Sequence, residues 1–215
     1  KKYVDYLRNW NLRNDVNEKG ASVFRAIWDS LEVAVWADEF KNANLPLQWP
    51  DESTLLEQML KDSVVLFEDN IATPNIKETM ADAVTKAIKK ATPQLAQMEK
   101  EGTLAWGAYK DTRVNHLLKI PSLSRLHLPI GGGVHIINAT TGNHGPSWRM
   151  VVHLVDGIEA YGVYPGGQNG NPGSKYYDTF IDSWAAGKYY RLLFLSKEAA
   201  QQNSQMKWRL TFTNS

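Results

Sequence analysis

No cysteine occurs among the 215 residues. That excludes a disulfide framework, a thiolate metal site and a thiol nucleophile, and it leaves the redox compartment open. No apolar run approaches the roughly 20 residues that cross a bilayer as a helix, and no charged-then-apolar leader opens the sequence at Lys1. An excess of either charge is missing too: 24 Lys and Arg stand against 23 Asp and Glu, a net charge of +1. Without a basic or acidic footprint, neither nucleic acid nor an anionic membrane is an expected partner. What is present is material for a core. With 43% hydrophobic and 22% charged residues, the chain can bury a sizeable interior as one piece.

The first half carries helical periodicity. Phe24, Ile27, Trp28, Leu31 and Val35 recur at helical spacing and predict one buried stripe on a helix bounded by Gly20 and by the stretch 42–46. Leu55, Leu56, Met59 and Leu60 predict a shorter helix entered through Pro50, Asp51 and Ser53. A third is expected from a Thr73 cap with Pro74 in the first turn, with Met80, Val84, Ala87, Ile88 and Ala91 as its apolar stripe. Pro93 is expected to break or kink that helix.

The second half changes period. Three glycines, Gly131, Gly132 and Gly133, lead into an extended stretch at 134–138. Residues 147–155 then alternate, with Trp148, Met150, Val152 and Leu154 on the face predicted to be buried and Ser147, Arg149, Val151 and His153 on the other. Asp156-Gly157 follows and an extended pattern resumes at 158–164, a hairpin signal. Residues 207–213 alternate Trp208, Leu210 and Phe212 with polar positions and read as a terminal strand with one covered face. Helices first, then hairpin and strand, without a strand–helix–strand rhythm, make the class α+β. A hairpin is marginal alone, so the sheet is expected to be completed by further polypeptide.

Three motifs carry a resemblance. GPSWRMVVHL (145–154), GVYPGGQNGNPGSKYYD (162–178) and SWAAGKY (183–189) follow one another in the order and spacing of the penicillin acylase family of N-terminal-nucleophile hydrolases. That family has a GPSWRMVVDL-like strand, a PGGQSGNP-type loop and a W-x-x-G-x-Y ending. Trp106-Gly107, His116 and Gly132 to Asn138 stand at its upstream positions, and LRNWN (7–11) with Ala21 and Phe24 resembles its preceding helical segment. The chain departs from the pattern at His153, Asn169 and Lys175-Tyr176, which blurs the subfamily rather than the membership.

The resemblance implies the C-terminal portion of the β chain of an αββα four-layer sandwich, helical over about 1–105 and sheet-forming over about 106–215. It implies hydrolysis of an amide between an acyl group and an amine, such as a β-lactam side-chain amide or an acyl-homoserine lactone. In that family the nucleophile is the hydroxyl of the β chain's first residue, with its own α-amine as base. A free α-amine titrates at roughly 7.7–8.0, which suits that task. Lys1 cannot play this part. The oxyanion asparagine and its neighbouring arginine also lie upstream in the family, so no catalytic residue is expected in this chain. Arg149 and Ser147 are the positions that could stand behind the reacting groups. The implied partners are the upstream α and β segments of the same acylase and a small amide substrate. No cofactor is implied, and the implied compartment is the periplasm or outside the cell.

Competing readings of single features are weaker. His116, His127, His135, His144 and His153 show no metal-ligand spacing. The triple glycine lacks the surroundings of a phosphate cradle and reads as a loop with unusual backbone angles. Ser147 sits in no G-x-S-x-G elbow. The eight tryptophans suggest, as the alternative, a carbohydrate-binding or interaction module, which requires exposed coplanar rings; Trp28, Trp148 and Trp208 are instead expected on buried faces.

Overall fold

The computed structural model describes residues 1–41, 47–61, 67, 69–204, 206–208 and 210–213. The expected boundary at 42–46 lies outside them. The chain divides into two compact units, one of residues 1–113 and 126–144, the other of 114–125 and 145–215.

In the first unit α1 (Lys2–Arg8), α2 (Lys19–Lys41), α3 (Glu52–Leu60), α4 (Met80–Lys100) and α5 (Trp106–Lys110) surround one core. Along α2, Val23, Ile27, Leu31, Val35 and Trp36 are buried. The stripe read from the sequence is therefore right for Ile27, Leu31 and Val35 and fails at Phe24 and Trp28, which turn toward a cleft described below. The buried ridge of α4 is Ala83, Ala87, Ala91 and Leu95. Met80, Val84 and Ile88 pack beside it, only partly covered. Small residues at every fourth position let the helix backbones approach closely, and the larger side chains flank that contact.

The expected start of α4 is wrong, and Pro93 does not break the helix. It starts at a capping box, not at Thr73-Pro74: Asp82 N–H donates to Thr79 Oγ1 at 3.3 Å, and Thr79 N–H donates back to Asp82 Oδ2 at 3.0 Å. Thr73 instead closes a turn, donating to Glu78 Oε1 at 2.8 Å. Pro93 does not end the helix, which runs on to Lys100. It sits on the exposed side between the buried Ala91 and Leu95, so water can take the carbonyl it leaves unbonded while packing on either side holds the turn. Asp51 caps α3 as expected, accepting from Ser53 and Thr54 N–H at 2.9 and 3.2 Å.

Near the end of α2, burial first and a hydrogen bond with Asp38 second push the Glu39 carboxyl up to about 7. Its Oε2 is buried and has no partner among the described residues. The fold thus favours the protonated form. This contribution is fully present below the ordinary value of 4.5 and is lost as pH rises through about 7. Glu39→Gln should remove that loss: its urea midpoint, relative to the parent, should rise from about pH 5 to about pH 8. Parallel pH dependences would contradict the assignment.

In the second unit β3 (Arg149–His153), β4 (Glu159–Val163) and β5 (Tyr190–Leu192) form an antiparallel sheet in the order β3-β4-β5. Val151 pairs with Tyr161 and Tyr161 with Arg191. A separate two-stranded sheet joins β1 (Thr112–Val114) and β2 (Arg125–Leu128), most of whose residues belong to the first unit. Helix α6 (Ile181–Ala185) buries Trp184, and α7 (Lys197–Gln202) follows β5. Arg125 pairs with Asp178 at 2.7 Å and also with Asp182, tying the glycine-rich loop and α6 to one cation. The architecture is mixed helix and small antiparallel sheets, an α+β arrangement.

The hairpin forms as the alternation and Asp156-Gly157 predicted, with Gly157 at φ +80°. The predicted burial does not follow. Trp148, Met150, Val152 and Leu154 are all exposed, Trp148 to 48% and Leu154 to 80%, because β3 is an edge strand and nothing among the described residues covers it. Residues 134–138 make turns and bends rather than a strand. The described residues of 207–213 form no strand either, and Trp208 is 92% exposed. Alternation prepares a segment for a sheet, but a ladder needs a neighbour.

Candidate functional site

The first unit holds a cleft of about 750 Å³, within the range of small-molecule sites. Its aromatic walls come from two places. Trp10, in the loop after α1, lies 5.6 Å centroid to centroid from Phe24 of α2, which lies 5.7 Å from Trp28 one turn on. Gly20 makes this possible, since a Cβ there would stand 2.4 Å from the Trp10 ring. Trp10 Nε1 donates to the Arg13 carbonyl at 2.7 Å, which fixes the indole. From α5, Trp106 and Tyr109 stack at 5.7 Å and 16°. Trp106 Nε1 donates to the Gly132 carbonyl at 2.6 Å, and Lys110 Nζ donates to the Gly131 carbonyl at 2.8 Å and to Thr140. The glycine loop is thus pinned to α5, and Gly132 carries φ +88°, the unusual backbone angle read from the sequence.

Charge enters from α2 and α3. Arg25 Nε meets Asp29 at 2.7 Å and its NH1 meets Glu52 at 2.6 Å, while the second oxygen of Glu52 lies 3.0 Å from His135 Nε2. Burial works against the Arg25 charge, but the hydrogen bond with Glu52 and the nearby carboxylates more than offset it, so its pKa stands above the ordinary value. Burial likewise pushes the Glu52 carboxyl up, and hydrogen bonds from Arg25 and His135 prevail to hold it below the usual range. Asp29 is raised, by burial first and by the charge of Glu52, against the opposing pull of Arg25. Tyr109 is pushed up to about 12, by burial and then by Asp29.

Three hydroxyls around the cleft have partners. Ser53 Oγ donates to Asp51 at 2.5 Å, Thr140 Oγ1 donates to the Gly131 carbonyl at 2.7 Å, and Thr141 Oγ1 accepts from His144 N–H at 3.1 Å. Lys110 reaches Thr140 as a donor to its oxygen. The arrangement is equipped to bind, with shape, rings and fixed charges.

Ser147 and Arg149 belong to the second unit and do not line this cleft. Ser147 is exposed in the bend before β3. Arg149 lays its guanidinium 4.9 Å from the Trp184 ring and donates to the Trp184 carbonyl at 2.5 Å; burial lowers its pKa. Among the histidines, His127 meets Asp111 and His135 meets Glu52. No three of His, Asp and Glu gather as a metal site among the described residues. Trp28, Trp148 and Trp208 are not buried as expected: Trp28 is half-buried at the cleft and the other two are exposed. Even so, the aromatic row Trp148, Tyr164, Phe180, Tyr190 meets at 31°, 63° and 68°, which is not the coplanar platform that a sugar-binding face needs.

Sequence reading missed the cleft residues Trp10, Arg25, Asp29, Glu52 and Tyr109. One local signal existed, the Arg25–Asp29 pair at i,i+4. No curated protein matches this sequence. The sequence profile of the Penicillin amidase family matches residues 1–201, nearly the whole chain, and the chain therefore belongs to the penicillin amidase family of acylase-type amide hydrolases.

Proposed function

We propose that this chain is the C-terminal segment of the β chain of an acylase, part of a four-layer αββα sandwich whose nucleophilic serine lies on polypeptide outside these residues. The observation that carries the reading is the sheet. β3 stands at its edge with Met150, Val151 and Val152 all exposed, an arrangement that calls for another strand and another layer. The parent enzyme on this reading cleaves an acyl group from an amine, with β-lactam side-chain amides and acyl-homoserine lactones as substrate classes. It acts in the periplasm or outside the cell, with the upstream α and β segments as partners.

The test is complementation. The chain alone should hydrolyse no chromogenic acyl amide, because on this reading the nucleophile and the donors that stabilise a tetrahedral intermediate lie on the upstream polypeptide. Refolded or co-expressed with the upstream segments of the same enzyme, it should yield an active amidase. Turnover by the purified lone chain, or a folded complex without turnover, would overturn the proposal.

A further inference from the structure

The aromatic cleft of the first unit holds its polar groups as firmly as a binding site does. Arg25 is clamped between two carboxylates, and Lys110 is spent on the carbonyls of Gly131 and Gly132. Neither cation is available to a ligand. Asp29 is different. Arg25 occupies its Oδ1, but the side chain is 48% exposed and lines the cleft, so its other oxygen can accept a donor brought from solvent. Beside it Phe24, Trp28 and Tyr109 line the cleft with rings, whose faces attract cations through their quadrupoles.

We propose that this cleft binds an organic ammonium carrying an aromatic or flat apolar body, the ammonium donating to Asp29 and the body lying among the rings of Phe24, Trp28 and Tyr109. A carboxylate next to aromatic faces selects a cation twice, by a charge-assisted hydrogen bond and by the ring quadrupole, while the apolar volume rewards burial of the body. Asp29 and the neighbouring Glu32 are both raised, by burial first, with the charge of Glu52 adding to it and Arg25 opposing it, and Tyr109 is raised by burial and then by Asp29. A cation at the open oxygen of Asp29 offsets part of the charge that burial leaves poorly solvated. An anionic ligand would have to displace a carboxylate from Arg25. The inference needs no nucleophile and stands whether or not the acylase reading holds, since its readout is binding rather than turnover.

The experiment is calorimetric titration of the full chain with phenethylammonium, 3-phenylpropanoate and n-butylammonium. The ring-bearing cation should bind at least about tenfold more tightly than the anion of the same shape, and about tenfold more tightly than the cation without a ring. Asp29→Asn should abolish the preference for cation over anion. Phe24→Ala, at a position already 43% exposed, should weaken the ring-bearing cation without changing the melting temperature much. Equal affinity for cation and anion, no saturable binding of phenethylammonium, or an Asp29→Asn protein that melts like the parent and keeps the charge preference would each overturn the proposal.

Discussion

Trp36→Ala should lower the free energy of unfolding by about 3–5 kcal/mol, most of the stability that a domain of ordinary marginal stability possesses. Trp36 is 1% exposed. Its indole meets Phe67 at 5.3 Å and Phe40 at 6.3 Å, both edge to face, so truncation removes the largest side chain of the core and two ring contacts, leaving a cavity that helix packing cannot close. One feature pulls toward the low end: the buried Trp36 Nε1 has no hydrogen-bond partner among the described residues, and deleting it removes a desolvation cost of about 1–3 kcal/mol. Trp208→Ala is the control. At 92% exposure that change should stay within about 0.5 kcal/mol of the parent. Urea midpoints decide the matter, and equal shifts for the two tryptophans would mean that the core lies elsewhere.

Gly132→Ala should cost about 2–4 kcal/mol, by two mechanisms that add. At φ +88° an L side chain is strained, and its Cβ would stand 2.0 Å from the carbonyl oxygen of Asn138. That oxygen is backbone and cannot swing away. The loop cannot relax freely either, because the Gly132 N–H donates to the Asn14 carbonyl at 2.8 Å while its own carbonyl holds Trp106. Gly157→Ala separates the two causes. Gly157 has φ +80° but open space around it, so that change should show only the backbone term, about 1–2 kcal/mol. If the two variants unfold at the same denaturant concentration, the close approach to Asn138 is not the constraint described here.

What could be read from the sequence was what is local. Helix α2 announced itself through Ile27, Leu31 and Val35, and the β3–β4 hairpin through its alternation and Asp156-Gly157. What periodicity could not say is what each face meets. Phe24 and Trp28 continue the α2 stripe yet line a cleft, and Trp148 to Leu154 alternate as a core strand does yet lie open. The start of α4 was misplaced because Thr73-Pro74 satisfies the same rule as a cap, while the Thr79 and Asp82 box six residues later satisfies it better, with two reciprocal bonds. The cleft was hidden for another reason. Trp10, Arg25, Glu52, Trp106 and His135 come from segments up to more than a hundred residues apart, and no local pattern encodes their meeting. Family membership was legible because the motifs at 145–189 are contiguous, and the family profile spans them.

The open edge of β3 has a consequence for how the chain behaves in company with itself. Met150, Val151 and Val152 are exposed on both faces of a strand that has only one neighbour among the described residues, and no Pro or Lys interrupts the run. Such an edge is a template that a second copy can extend, so its solubility becomes a matter of concentration and its shelf life a race between productive partners and fibril-like stacking. After Arg149, β3 carries no Lys, Arg, Asp or Glu, which leaves a thin guard against that outcome.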